Sequence, residues 1–269
     1  MVGCRAASEV TLDLKMTMKT KLPLTIDLNC DLGEGAKHDE ALMPLITSAN
    51  IACGAHAGDA ATMKATVRLA RIHGVAVGAH PGFADRDGFG RRELALGPNE
   101  IVALVRGQVE ALCRIAATEG ASVTYVKPHG ALYNMVARDA VIADAVAEAV
   151  AGVDSNLWLY GLAGSVGLKV AGARGLRVVA EVFADRTYQA DGSLTPRERP
   201  DALLATEAEA AAQVVRLVRD GCLRATDGAD LVVIADTVCL HGDGPEAVGF
   251  ARALRSALLG EGVRLRSLV

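Results

Sequence analysis

The sequence predicts an α/β fold, a seven-stranded (β/α) TIM-like barrel formed as one domain over residues 23–269. Short apolar runs alternate with polar loops and helical patterns about seven times over, the signature of a parallel sheet covered by helices. Seven units over roughly 245 residues suit a closed or nearly closed barrel better than a doubly wound sheet. No G-x-G-x-x-G follows the first run, which weakens a dinucleotide-binding reading.

Residues 24–28 form the first strand, which ends in Asn29-Cys30-Asp31-Leu32-Gly33-Glu34-Gly35. A short helix at 39–46 leads to a second strand at 48–52, followed by Cys53-Gly54-Ala55-His56-Ala57-Gly58-Asp59. Asp59 is suited to cap the next helix, through Met63, Val67 and Ala70. The third strand, 75–78, opens into a long loop with His80, Asp85, Arg86, Arg91 and Arg92. Pro98 sits where a first helical turn accepts proline, and Ile101, Leu104, Val105, Val109, Leu112 and Ile115 give the following helix an apolar face.

The fourth strand, 122–126, stops at Lys127-Pro128-His129-Gly130. Pro128 holds the residue before it extended, and Gly130 permits a sharp turn. A helix is expected from Ala131 through Val136, Val141, Ala145 and Val146. The fifth strand, 156–160, leads to Gly161-Leu162-Ala163-Gly164-Ser165 and a helix. The sixth, 176–180, precedes a long loop at 183–200. Thr206 to Glu209 has capping-box spacing before another helix. Residues 231–234 are a candidate short extra strand, and 238–240 the seventh, before His241-Gly242-Asp243-Gly244-Pro245 and a last helix to about residue 259.

The net charge of -4 leaves no basic footprint for nucleic acid, and no apolar run approaches the ~18 residues of a membrane span. Six cysteines without C-x-x-C pairing read as reduced thiols in a cytoplasmic protein. Residues 1–22 lack a convincing signal peptide. They read as an N-terminal extension, poorly ordered and starting upstream of the natural first residue.

The chemistry gathers just past the strand ends: Asn29 and Asp31, His56 and Asp59, His80 with Arg86 and Arg91, Lys127 and His129, Glu181 with Asp185 and Arg186, and His241 with Asp243. In a (β/α) barrel these loops share one face, where active sites form. Packing does not account for four histidines, a lysine and several carboxylates converging there. Two chemistries suit the set. Asp31, His56 and His80 could hold Mg2+ or another divalent metal. Alternatively, His129 with Asp31 or Glu181 works as acid and base, while Lys127 or Arg86 holds an anionic group. The turns around Gly161 and Gly164, and around Gly242 and Gly244, place free backbone N–H groups ahead of helices, suited to phosphate. Each also reads as ordinary turn chemistry. Neither is a G-x-x-x-x-G-K-[ST] loop.

Several stretches together resemble the LamB/YcsF family: Ile26-Asp27-Leu28-Asn29-Cys30-Asp31-Leu32-Gly33-Glu34, Ser48-Ala49-Asn50-Ile51-Ala52-Cys53-Gly54, Gly78-Ala79-His80-Pro81-Gly82 and Val126-Lys127-Pro128-His129-Gly130-Ala131-Leu132-Tyr133-Asn134. Glu181-Val182-Phe183-Ala184-Asp185-Arg186-Thr187-Tyr188 and His241-Gly242-Asp243-Gly244-Pro245 extend the match. The resemblance implies a barrel akin to the glycoside hydrolase/deacetylase type. It further implies ATP-dependent hydrolytic opening of 5-oxo-L-proline to L-glutamate by a 5-oxoprolinase, with two partner subunits, B and C. The matched positions are Asp31, His56, His80, Lys127, His129, Asp185, Arg186 and His241. Two departures stand out. The segment 35–39 is shorter than the family pattern, and Ala55 replaces an aromatic ahead of His56. Other readings of the same residues are a metal-dependent amidohydrolase or deacetylase acting alone, and a substrate-binding subunit without catalysis of its own.

Overall fold

The computed structural model describes residues 25–242, 244 and 246–269. The N-terminal extension, Asp243 and Pro245 lie outside them. Strands β1 (Thr25–Leu32), β2 (Ser48–Ala52), β3 (Ala76–His80), β4 (Val123–Val126), β5 (Trp158–Leu162) and β6 (Arg177–Phe183) pair in sequence order, all parallel. Two further strands, β7 (Cys222–Arg224) and β8 (Asp230–Val232), form a separate antiparallel hairpin. Strand β9 (Thr237–His241) pairs with both β6 and β1 and closes a seven-stranded barrel. The expected barrel is therefore present. Several strands run two or more residues further toward the site than their apolar runs imply, because polar residues at their ends still pair. A short strand absent from the sequence reading, β10 (Arg264–Leu265), adds to the start of β1.

Helices α1 (Asp39–Leu42), α2 (Ala60–His73) and α3 (Pro98–Thr118) follow the first three strands. Asp59 caps α2 as expected, accepting from the Thr62 N–H at 2.8 Å. The helix expected to run from Ala131 through Val146 is two helices, α4 (Gly130–Arg138) and α5 (Ala140–Val153). Asp139 is extended between them, and its carboxylate accepts from Val141 N–H at 2.8 Å. Apolar periodicity runs across the break and hides it; the stop signal is the cap residue. Helices α6 (Val166–Ala173), α7 (Glu207–Asp220) and α8 (Ala247–Gly260) complete the outer layer. Thr206 and Glu209 form the expected capping box on α7. Among the described residues, no helix is long and apolar enough to cross a membrane.

Strand alternation explains what fills the barrel. In β1, Ile26, Leu28, Cys30 and Leu32 belong to the main apolar core, whereas Asp27, Asn29 and Asp31 bond to polar groups of the other strands. Asp27 is fully buried and receives hydroxyls from Thr47, Ser48, Thr237 and Tyr160. Burial raises its pKa, and those hydroxyls oppose the rise. Thr237 in turn accepts from Asn29 at 2.8 Å, and Asn29 donates to Glu181 at 2.8 Å. A continuous polar column thus runs from Asp27 up to the strand ends.

One glycine is dictated by this interior. A Cβ on Gly78 of β3 would fall inside the Tyr125 ring, which stacks on Tyr160 at 4.0 Å. Gly78→Ala is expected to destabilise the protein by about 1–3 kcal/mol through overpacking, read as a lower urea midpoint with an unchanged slope.

Candidate functional site

The strand ends converge on Lys127, which is 1% exposed. Its ammonium lies 2.9 Å from Asp31 Oδ1, 3.0 Å from Glu181 Oε1 and 2.9 Å from Cys239 Sγ. Burial alone would lower the lysine pKa; Asp31, Cys239 and Glu181 outweigh it and hold the pKa well above the ordinary value. Burial likewise pushes Asp31 up, but His80 and Lys127 hold its carboxyl well below the usual carboxylate range. The sequence casts Lys127 as a grip for an external anion. Its partners are instead the chain's own carboxylates, and its position fixes their charge and orientation.

Three histidines stand beside this ion-pair cluster. His80, at the end of β3, has Nδ1 2.7 Å from the Lys127 carbonyl. His129, just before α4, has Nε2 2.8 Å from the Phe89 carbonyl. Each carbonyl accepts, so those nitrogens carry the protons. The remaining nitrogens, His80 Nε2 and His129 Nδ1, face each other across 2.9 Å, within hydrogen-bonding distance. His56 stacks face to face on His129 at 3.8 Å, and its Nδ1 is buried without a partner. Glu34 Oε1 reaches toward all three rings, at 3.4 Å from His56, 3.4 Å from His129 and 3.9 Å from His80. Burial, then His80, pushes His56 down to about 3; burial and the neighbouring rings hold His129 well below its ordinary value. Both rings are neutral at pH 7, the form that ligates metal.

One ligand atom from each of Glu34, His56, His80 and His129 lies within 4.8 Å of the others. With His56 Nδ1 buried and unpartnered and four ligand atoms this close together, the residues fit a divalent ion. Three imidazoles and one carboxylate suit zinc or another transition metal, whereas Mg2+ prefers oxygen ligands. The expected ligands His56 and His80 are in this group. Asp31 is beside it, with Oδ2 3.4 Å from His80 Nε2. Sequence reasoning misses Glu34 and leaves His129 to acid–base work, although both belong to the quoted motifs. Glu34 follows Asp31 by three residues, with Gly33 at φ +72° between them turning the chain back toward the site.

The loop after β3 is held over the histidines by an unusual backbone. Phe89 has φ +53°, the one non-glycine residue with positive φ among those described. That conformation costs free energy, and it aims the Phe89 carbonyl at His129. Gly90 follows at φ +64°, and a Cβ there would come within 2.8 Å of His56 Cβ. Arg91 lies with its guanidinium 4.8 Å from the Phe89 ring centroid. Arg86 turns the other way and donates to the carbonyls of Gly54 and Gly58. It ties two loops together.

Across the barrel mouth, His241 Nδ1 contacts Asp185 Oδ2 at 2.7 Å, and His241 Nε2 accepts from Arg197 at 2.7 Å. The His241 ring stacks on Phe183. The pairing of β1 with β9 sets Asp31 opposite His241, so this dyad and the histidine cluster flank one mouth. Arg197, inside the long loop, belongs to no motif, and nothing in the sequence marks it. Arg186 is buried, and its guanidinium donates to the carbonyls of Ala202 and Thr195. Burial, then Arg197, lowers its pKa to about 10. It braces the loop from within.

The glycine turns are placed differently from one another. Gly161 is inside β5 and packs on Leu168, while Gly164 turns at φ +77°. The N–H groups of Ala163 and Ser165 bond to carbonyls of Glu181 and Leu162. Gly242 lies so close to the Asp31 carbonyl that a Cβ would meet it at 2.6 Å. Gly244 has open space around it.

Comparison with known proteins agrees with this architecture. The 5-oxoprolinase A subunit of Geobacillus kaustophilus is 53% identical over 247 residues, covering 90% of this chain and 96% of the relative. That of Bordetella pertussis is 54% identical over 247 residues, with 90% and 98% covered. The crystal structure of the lactam utilization protein from Thermus thermophilus superposes with a TM-score of 0.85 at 45% identity, over 91% of this chain and 100% of that one. A polysaccharide deacetylase from Bacillus cereus shares the fold at a TM-score of 0.50 and 13% identity, with 91% of each chain covered. The LamB/YcsF family model matches residues 26–269, so the chain belongs to the LamB/YcsF family.

Proposed function

We propose that the chain is the A subunit of a cytoplasmic 5-oxoprolinase, which opens 5-oxo-L-proline to L-glutamate with hydrolysis of ATP to ADP and phosphate, together with subunits B and C. The observation that carries this reading is identity above 50% to relatives that are themselves named as the A subunits of 5-oxoprolinases, over nine-tenths of the chain. The site chemistry supports it. A five-membered lactam is an unstrained amide with a poor leaving group, so ATP coupling supplies a better-activated carbonyl. ATP, with its Mg2+, belongs to the assembly; this chain offers no ordinary P-loop.

In this reading the lactam lies across the strand-end mouth. Asp185 orients His241, and His241 moves a proton at Nε2 once Arg197 turns to the substrate carboxylate. Lys127 holds the Asp31 and Glu181 side chains in place beside the reacting amide. Glu34, His56, His80 and His129 would hold a divalent ion. When bound, such an ion supplies Lewis-acid polarisation or an activated water.

The test is glutamate formation by the purified chain alone, then with subunits B and C, each with and without ATP. Activity is expected only in the full, ATP-supplied assembly, with His241→Ala lowering kcat by roughly 10²–10⁴-fold. No turnover in that assembly rejects the reading. Turnover by the chain alone, sensitive to chelator and indifferent to ATP, would favour the metal-dependent amidohydrolase to which the histidine cluster also points.

A further inference from the structure

The apolar inner faces of two outer helices are each interrupted by a glutamine. On α3, Gln108 is buried among Val105, Val109 and Leu112. On α7, Gln213 is half-buried beside Ala210, Val214 and Leu217. A side chain at such a position loses most of its water, so its amide must find partners inside the protein. Both amides find them on the backbone of segments that carry the site.

Gln108 grips one residue twice. Its Oε1 accepts from the Gly82 N–H at 3.1 Å, and its Nε2 donates to the carbonyls of Gly82 at 2.8 Å and Leu104 at 3.1 Å. A donor and an acceptor on one amide make this possible. Gly82 is a wall of the histidine cluster: a Cβ there would lie 2.8 Å from His56 Nδ1 and 3.2 Å from His129 Cβ. The preceding carbonyl, of Pro81, accepts from the His129 N–H at 2.8 Å. A shift of the Pro81–Gly82 peptide therefore moves His129 and frees the His56 ring to turn.

Gln213 has the matching part on the opposite side of the mouth. Its Nε2 lies 3.0 Å from the Phe183 carbonyl, 3.2 Å from that of Ala184 and 2.9 Å from that of Arg186. These carbonyls flank Asp185, whose carboxylate meets His241 at 2.7 Å. The Phe183 ring stacks on His241 as well. All three carbonyls belong to buried residues, and without the amide they lose a shared donor. We propose that Gln108 and Gln213 are positioning residues, Gln108 for the metal-binding arrangement of His56 and His129 and Gln213 for the Asp185–His241 dyad. The Gln213 half rests on the function proposed above; the Gln108 half stands on metal binding alone. Each helix thus sets one half of the site separately.

The test replaces each glutamine by methionine, which is similar in length and cannot donate. Zinc dissociation constants are measured on the folded, metal-free chain, and kinetics on the complete assembly with B and C. Gln108→Met should weaken zinc binding by roughly 10–100-fold, whereas Gln213→Met should keep the wild-type affinity. Gln213→Met should instead lower kcat by roughly 10–100-fold with KM unchanged, since it misplaces a proton-transfer group and not a binding contact. Where Gln108→Met does not fold, Gln108→Asn, one methylene shorter, takes its place with the same expected direction. Equal zinc affinity in wild type and the Gln108 variant, or equal weakening by both variants, overturns the Gln108 assignment, as does a wild type that binds no zinc. An unchanged kcat in Gln213→Met, or a change confined to KM, overturns the other. Absence of glutamate formation by the wild-type assembly removes the functional reading and the Gln213 assignment with it, and leaves the zinc comparison standing.

Discussion

Replacing Lys127 with methionine is expected to abolish activity and destabilise the fold by about 3–5 kcal/mol, the range for breaking a buried ion pair by removing one partner. The substitution keeps the length of the side chain and removes the ammonium that Asp31 and Glu181 share. Both carboxylates are buried, so one of them must take up a proton in the variant. The pH dependence carries the sign. The Lys127 pKa is raised on folding, so its contribution is complete below the unfolded value and is lost only as pH climbs through the folded one. Asp31 is depressed, so its contribution is present above about pH 4, the unfolded carboxylate value, and fades as pH falls through the folded one. In Lys127→Met the folded state takes up its proton before the unfolded chain does, so the acid-side loss of stability should shrink or reverse, and the deficit against wild type should narrow as pH falls. Chemical denaturation across pH 3–9 measures it; superimposable curves would show that the pair contributes nothing.

Divalent zinc is expected to bind at one ion per chain and to raise stability by about 2.7 kcal/mol when free metal reaches a hundred times its dissociation constant. His80→Ala should reduce bound metal to background, because it removes one of the four ligand atoms. Metal analysis after dialysis and a melting series with and without zinc give the readout. In the metal-free protein, the neutral buried rings make a further prediction. His56 has a folded pKa of about 3 against an unfolded value near 6.5, so the unfolded chain binds the extra proton first. Stability should fall as pH drops below about 6.5, by about 2 kcal/mol from His56 alone at pH 5. His56→Phe should flatten that slope. An unchanged slope would mean that His56 is not held neutral.

The barrel and its reactive end are legible in the sequence because they follow from periodicity. Each apolar run marks a strand, and each abrupt change to Asp, His or Lys marks a strand end. His56, His80, Lys127, His129, Glu181 and His241 all come from those ends. Pairing between side chains is not legible. Nothing local to Lys127 tells a snorkelling cation from one enclosed by Asp31 and Glu181, because its partners are 96 and 54 positions away. Arg197 escapes notice for the same reason, inside a loop without motif. The Phe89 carbonyl is invisible to any reading of side chains, since its role depends on a backbone angle. The break at Asp139 is within reach of the sequence: an aspartate followed by a fresh apolar run is a cap signal, masked by a period that continues across it.

The polar column inside the barrel has a consequence for how the strands find their places. An apolar interior would accept a strand displaced by one or two residues at modest cost, since one aliphatic group resembles another. Asp27, Asn29 and Asp31 allow no such sliding. A shift of one residue turns all three toward the helices. A shift of two sets Asn29 where Asp27 meets its four hydroxyls, leaving an amide that cannot use them all as donors. The groups that prepare the site thus also act as a key that fits one alignment of the sheet, so correct closure of the barrel and assembly of the reactive end occur together.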